Sequence, residues 1–372
     1  TGTTNLDVDL ACNGGITGNG NLNFAAGNTT NIGGIYNLSG TTTINDVVTF
    51  GNTATFGTLN IGAGQASLNG VSNSINTLNL NGGTVQNNGG LTTNGTSTLS
   101  AGALQGGGDW DNQGNVNLSG TTIGMTGNIT NLNGGQFRNN AGITAINNAF
   151  FTNAGGTVRS DAGDLAFNGG FQQTGGSTRL TGGTITAPTL VIDGGNLRGI
   201  GTVNGNVILN GGSVQPGASP GTTVITGDFT QNGGTLSLEL GGLSQGVNFD
   251  LLDVGGNVTV NPGSTLGVSL FGAFTGNVGN LFEVINFGGT FTGTFDSFSF
   301  PSTHNIGTTL LPNSFELAFL GITLPPTPSG EFLDLFNELV ILQENQDKFI
   351  DEAGIGEIEE ELKNALPTVK CL

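Results

Sequence analysis

The chain has 372 residues, a net charge of −19 and 69 glycines, with 35% hydrophobic and only 9% charged residues. Glycine follows no three-residue period, which excludes collagen, and the 23 phenylalanines exclude a chain too polar to fold. Only seven Lys and Arg oppose 26 Asp and Glu, so attraction to a phosphate backbone is absent. We therefore expect no nucleic-acid partner.

Several features indicate an exported protein. The chain begins at Thr1 without an initiator Met, which is typical of a processed product, and Met, Trp and Tyr occur once each. No run approaches the roughly 18–20 apolar residues that cross a bilayer, so we expect no membrane-spanning segment. Two cysteines are too few for a disulfide scaffold. The predicted location is extracellular, on a bacterial cell surface.

The first half and middle of the chain carry a repeated tag, Gly-Gly-(Thr/Ser/Asn/Gln)-apolar. Several successive copies lie about 17 to 22 residues apart, which is the length of one coil of a β-solenoid. In such a coil short strands alternate inward apolar and outward polar residues, and Gly or Asn forms the corners. The tags lie at 82–85, 134–137, 155–158, 194–197, 211–214 and 233–236.

The pattern of short strands would also suit a β-sandwich or barrel, because Asn-Gly and Gly-Gly pairs are common in hairpins. The tag returning once per coil favours the solenoid, as does an Asn-rich register in which side-chain amides can stack between coils. Alternating strands are predicted at 78–80, 116–118, 207–209 and 236–240. We predict an all-β fold, a right-handed parallel β-helix with a short α-helical C-terminal tail.

Four segments follow from the change of composition along the chain. Residues 1–246 are predicted as the parallel β-helix, and 247–322, which hold many of the phenylalanines, as its wider C-terminal part. Residues 323–330 form a Pro-rich linker, in which Thr327 is a predicted N-cap and Pro328 the first helical position. Residues 331–372 are predicted to form an acidic helical tail, and they hold 11 of the 26 acidic residues.

The tail carries apolar residues at helical spacing before and after Gly354. Such a stripe needs a partner surface, so we predict an assembly face there. Its residues are Phe332, Leu335, Phe336, Leu339, Ile358 and Leu362.

The second half of the solenoid is similar to a known family. The segments 197–203 (LRGIGTV), 214–221 (VQPGASPG), 227–236 (GDFTQNGGTL), 249–254 (FDLLDV) and 282–287 (FEVINF) resemble the late passenger region of autotransporters and related filamentous-haemagglutinin-like surface proteins. This resemblance implies a right-handed parallel β-helix outside the cell, and it implies no catalytic residue. The family usually continues into a membrane barrel or sorting signal, whereas this sequence continues into an acidic tail.

Parallel β-helices also include polysaccharide lyases and hydrolases, which need clustered carboxylates or Ca²⁺ ligands with a basic residue. The acidic candidates are Asp109 with Asp111, Asp161 with Asp164 near Arg159, and Asp250 with Asp253. They do not gather with substrate-binding aromatics in the sequence, so isolated turn residues are the simpler interpretation. The only histidine, His304, is predicted in a surface loop. We expect no enzyme activity, cofactor or metal site.

Rows of Thr on a flat solenoid face can bind ice, which requires Thr-X-Thr once per coil. Neither 41–43 nor 92–93 recurs in that way in the sequence.

The two cysteines suggest how copies could join. Cys12 lies in the first predicted coil and Cys371 beside the last residue, so Cys371 of one copy could reach Cys12 of a head-to-tail neighbour. A buried or free thiol is the alternative for both. The leading hypothesis is an extracellular structural subunit that assembles into a filament or matrix fibre. The alternatives are a monomeric adhesin that binds glycans or surface ligands, and, less favoured, a polysaccharide-active enzyme.

Overall fold

The computed structural model describes residues 2–302 and 304–322. These residues form 34 β-strands and contain no α-helix. The predicted linker, helical tail, assembly face and Cys371 lie outside the described residues.

The strands are short and follow one another closely. Strands β1 to β12 span Thr3–Leu6, Leu10–Cys12, Ile16–Gly18, Asn21–Phe24, Thr29–Ile32, Tyr36–Ile44, Val47–Phe50, Ala54–Ile61, Gln65–Leu68, Asn73–Asn87, Leu91–Thr93 and Thr96–Gly106. Strands β13 to β23 span Trp110–Asn112, Asn115–Ser119, Thr122–Met125, Ile129–Leu132, Gln136–Ala141, Ile143–Ile146, Phe151–Ser160, Asp164–Phe167, Phe171–Ile192, Asn196–Leu209 and Ser213–Pro216. Strands β24 to β34 span Thr222–Ile225, Phe229–Gln231, Thr235–Leu240, Leu251–Val254, Val258–Val260, Thr265–Leu270, Leu281–Phe287, Phe291–Gly293, Ser297–Ser299, His304–Leu310 and Ser314–Ile322.

From β1 to β32, each strand pairs in parallel with a strand of a neighbouring coil, so the coils build three sheets around one core. Sheet 1 runs from β1 through β4, β14 and β17 to β26, β29 and β32. Sheet 2 runs from β2 through β5 and β7 to β24, β27 and β30. Sheet 3 runs from β3 through β11, β13 and β16 to β25, β28 and β31. The long strands cross corners and belong to more than one sheet. This arrangement confirms the predicted parallel β-solenoid, and its right-handedness stays a prediction from the resemblance.

Side chains alternate between the core and solvent, as a period of two requires. In β26 the three leucines Leu236, Leu238 and Leu240 are fully buried, whereas Ser237 and Glu239 point outward. The predicted strands at 78–80, 116–118 and 207–209 show the same alternation. Buried aliphatic and aromatic side chains form one continuous core along the described coils. The hydrophobic pattern therefore fixes which face of each strand is inside.

The Gly-Gly tag forms a corner between sheets. Gly195, the second glycine of one tag, has a φ of 72°, which is the left-handed region. A Cβ added there would lie 2.1 Å from the carbonyl oxygen of Gly176, the matching glycine one coil earlier. Stacked corners thus need glycine both for the backbone angle and for the close approach of neighbouring coils.

A ladder of polar side chains runs inside the core along sheet 3. Asn112 donates from Nδ2 to Oδ1 of Asn131 over 2.8 Å, and Asn131 donates in the same way to Asn153 over 2.9 Å. Asn153 donates to Oε1 of Gln173 over 3.1 Å. The same amides also donate to backbone carbonyls at the corner, for example Asn112 to Gly114 over 2.9 Å. The predicted stacking of amides between coils is confirmed. Inside the core, the amides of this run join each coil to the next, and every one of them has a hydrogen-bond partner.

The C-terminal end of the described solenoid differs from the repeating part. Here β34 pairs with β30 in the antiparallel direction and covers the outer edge of sheet 2. Phenylalanines fill this end, as predicted, and Phe282 and Phe319 pack with ring centroids 5.3 Å apart. Phe271 and Phe298 are nevertheless 42% and 48% exposed, so part of the predicted Phe-rich interior is surface.

Candidate functional site: a column of arginines

All four arginines of the chain lie in one column on the outer face of sheet 1. Arg138 pairs in register with Arg159, Arg159 with Arg179, and Arg179 with Arg198. Neighbouring parallel strands are about 4.8 Å apart, so each coil contributes one guanidinium at that spacing. Residues 1–330 otherwise hold 15 acidic residues and no lysine. The column is therefore a basic stripe on an acidic solenoid.

The register of the solenoid places these side chains together. Each arginine follows the inward residue of its coil directly: Phe137, Val158, Thr178 and Leu197 are fully buried, so the next residue must point outward. The column continues with Asn117 before Arg138 and Gln215 after Arg198. Thus a neutral polar residue lies at each end of the arginine column.

One carboxylate neutralises the first two arginines. The Nε atoms of Arg138 and Arg159 both donate to Asp161, which also accepts a hydrogen bond from the Thr181 hydroxyl. Burial acts to raise the pKa of Asp161, but the hydrogen bonds from Thr181, Arg159 and Arg138 outweigh burial and hold this pKa below its usual value. Asp161 therefore stays ionised and holds two guanidinium groups in fixed positions.

Arg179 and Arg198 have no such partner, since no carboxylate of the described residues forms an ion pair with either of them. Both line a cavity of about 300 Å³ on the same face. The loop 216–219 closes one side of this cavity. The other polar side chains of its wall are Thr181, Gln215, Ser219, Ser237, Glu239 and Asp250. The site thus combines two arginines that form no ion pair with neutral hydrogen-bonding groups and with the carboxyl groups of Glu239 and Asp250.

Asp250 is a structural member of this wall. Its Oδ1 accepts from the backbone N–H of Gly221 over 2.9 Å, and its Oδ2 accepts from that of Glu239 over 2.8 Å. The side chain is buried, and burial, opposed by those two hydrogen bonds and assisted by the charge of Glu239, raises the pKa of Asp250 to about 7. Gly217 lies against it with a φ of 88°, and a Cβ there would be 2.4 Å from Oδ1. Asp250 fastens the loop 216–221 to β26.

The acidic pairs considered from the sequence do not form a common site. Asp109 and Asp111 flank the buried Trp110 and point outward. Asp164 accepts from the hydroxyl of Thr186 over 2.9 Å, and Asp253 lies with Glu283 at a second cavity of about 440 Å³ near the C-terminal end. Among residues 2–302 and 304–322, no group of three or more His, Cys, Asp and Glu side chains could hold a metal ion.

The prediction that His304 lies in a surface loop is wrong: His304 is the first residue of β33 and is half-buried. Its ring packs on Phe319 with centroids 5.1 Å apart, and Nε2 lies at hydrogen-bond distance from the carbonyl oxygen of Thr275. Its surroundings are those of a packing residue.

Single threonines recur in register on sheet 1, but Thr-X-Thr does not recur once per coil, as the sequence predicted. Thr41, Thr58, Thr77 and Thr96 occupy one outward column of successive coils. The adjacent column holds Thr43, Asn60, Asn79 and Thr98, so Thr-X-Thr is present in the first and last of these four coils only. Variable spacing between coils concealed the alignment.

A signal for the arginine column was present in the sequence. The tags at 134–137, 155–158 and 194–197 are each followed directly by an arginine, and Gly175-Gly176-Ser177-Thr178 precedes Arg179 in the same way. Extending the tag by one residue would have placed one arginine per coil at the same position. The unequal intervals of 21, 20 and 19 residues between them hide this period from a simple count.

Comparison with known proteins gives no assignment: no family model matches the chain, and no curated protein matches it. The fold defines the described part as a parallel β-solenoid. Among the described residues, no helix is long and apolar enough to span a membrane. The resemblance to autotransporter passengers stays a prediction.

Proposed function

We propose that this chain is an extracellular architectural protein whose solenoid assembles end to end into a surface filament or matrix fibre. The supporting observation is the C-terminal end of the described coils. There β34 covers sheet 2, whereas β31 of sheet 3 and β32 of sheet 1 have no further strand beyond them among the described residues. Unpaired strand edges are templates for pairing with another chain.

An end-to-end contact of this kind joins two different surfaces, so it does not close and gives a filament. Phe298, in the middle of β32, is 48% exposed and adds apolar area at this edge. The interior amide ladder and continuous core would stiffen each subunit, because bending would break hydrogen bonds between coils.

Sedimentation velocity of the full chain tests the proposal. We expect the average mass to rise with concentration, and Phe298→Lys, which adds a charge at the edge strand, to lower it toward the monomer. Val71→Lys is the matched control, because Val71 is 87% exposed in a turn before β10. Monomers at every concentration, or equal association of both variants, would contradict end-to-end assembly.

A glycan-binding adhesin is the second candidate, and the arginine column favours it. A polysaccharide-active enzyme is favoured less. The cavity beside Arg179 does contain the carboxylates of Glu239 and Asp250 next to a basic residue. However, both oxygens of Asp250 already accept backbone hydrogen bonds, so only Glu239 is left for acid–base chemistry. Release of reducing or unsaturated ends from a uronate polysaccharide would support the enzyme.

A further inference from the structure

We propose that the arginine column binds an extended acidic polysaccharide, one that carries a carboxylate or sulfate group on its sugar residues. The site consists of Arg138, Arg159, Arg179 and Arg198 together with the cavity of about 300 Å³ beside the last two. This goes beyond the architectural role and does not depend on filament assembly.

The first reason is that the column is unfavourable for the isolated solenoid. Like charges directly opposite each other on neighbouring strands repel, and three such neighbouring pairs occur here. Asp161 relieves the pair Arg138 and Arg159, but Arg179 and Arg198 have no carboxylate partner among the described residues. An anionic ligand would supply the missing counter-charge.

The second reason is geometric. A guanidinium group presents a planar set of donors that matches a carboxylate or sulfate, and it is more weakly hydrated than an ammonium group. The column offers one such group about every 4.8 Å along the solenoid axis. That spacing is similar to the length of one sugar unit in an extended polysaccharide, so consecutive acidic sugars can meet consecutive coils.

The third reason concerns what surrounds the cations. Gln215 and Ser237 continue the arginine column over the next two coils, and both line the cavity. Amide and hydroxyl groups of this kind form hydrogen bonds with sugar hydroxyls. The column therefore changes from ionic to neutral polar contacts along the path of one ligand chain.

A nucleic acid fits this site less well. Double-stranded DNA carries one charge per about 1.7 Å of its axis, which is far denser than one cation per coil.

Binding of polygalacturonate and of dextran sulfate to the full chain, measured by isothermal titration calorimetry at low salt, tests the inference. The first probe carries carboxylates and the second sulfates, so the stronger of the two identifies the acidic group. Neutral dextran and a single-stranded oligodeoxynucleotide are the comparison ligands. We expect the preferred polysaccharide to bind, neutral dextran not to bind, and the oligonucleotide to bind at least about 10-fold more weakly.

Variants of the column give the sharper result. Arg179→Gln with Arg198→Gln should weaken binding about 30-fold, since each lost charge-assisted contact costs several-fold. The same double variant should melt at the same or a higher temperature than the parent, because it relieves repulsion. Gln215→Arg should extend the column by one coil and tighten binding about 3-fold.

The matched control is Thr130→Glu with Thr230→Glu, which lowers the net charge by the same two units on sheet 3. Its affinity should stay within about 2-fold of the parent. The inference is overturned if neither acidic polysaccharide binds, if the oligonucleotide binds as tightly, or if the column and control variants lose affinity equally.

Discussion

The amide of Asn112 donates to Oδ1 of Asn131 over 2.8 Å, and both side chains are completely buried. The contact joins two adjacent coils within the core, at a position where most solenoid residues are apolar. Because a buried amide that loses its partner keeps its desolvation cost, the ladder makes every coil depend on its neighbours.

Asn131→Ala should therefore lower the free energy of unfolding by about 3 kcal/mol. The substitution removes the acceptor for Asn112 and the donor to Asn153, and it leaves a small cavity. Asn79→Ala is the control, because Asn79 makes a comparable 2.8 Å bond to Asn60 on the partly exposed outer face. Asn79→Ala should lower the free energy of unfolding by less than about 1 kcal/mol. If denaturant titrations show that both variants lower the free energy of unfolding equally, the buried ladder stabilises the solenoid no more than an exposed amide pair does.

Asp161→Asn should destabilise the solenoid by about 1 kcal/mol at neutral pH, because Arg138 and Arg159 lose their shared counter-charge. The pKa of Asp161 is held below its usual value, so its contribution is complete above pH of about 4 and is lost as the pH falls further. Denaturant titrations at pH 7, 5 and 3 check this. A variant whose deficit does not shrink toward acid pH would contradict the ion-pair account.

Asp250 should produce the opposite pH dependence. Burial raises its pKa to about 7, so the folded state binds this proton more tightly than the unfolded chain, whose carboxyl titrates near 3.9. Its favourable contribution is complete below pH of about 4 and is lost as the pH rises to 7. Asp250→Asn should flatten the stability profile over that range, whereas the outward Asp253→Asn should not. Identical profiles for the parent and Asp250→Asn would disprove the assignment.

Cys12 is half-exposed in β2, and its thiol donates to the carbonyl oxygen of Gly14 over 3.3 Å. If Cys371 of a neighbouring copy bonds to it, non-reducing gels of secreted material will show a ladder that collapses on reduction. Cys12→Ser should abolish the ladder. A ladder that survives in this variant, or no ladder in the parent, would refute the disulfide between copies.

Much of the fold could be predicted from local chemistry. The leucines of 236–240 and the glycine corner at Gly195 obey rules that act within a few residues, and both lie where the sequence placed them. The arginine column was missed because it depends on register between coils. Insertions such as 241–250, between β26 and β27, change the length of each coil and obscure which residues stack.

The role of Asp250 could not be predicted for a related reason. Its two hydrogen-bond donors, Gly221 and Glu239, lie 29 and 11 residues away and meet it only through the path of two loops. The sequence indicated that Asp250 is an isolated turn residue. Only the folded backbone shows that its carboxylate fastens a loop at the edge of the cavity.

Electron microscopy of the native, full-length protein tests the central claim most directly. If the solenoid is an architectural subunit, the particles will be fibres of indefinite length whose width is that of one solenoid, and Phe298→Lys will shorten them. Single short rods at all concentrations, in the parent and the variant alike, would contradict assembly into a filament.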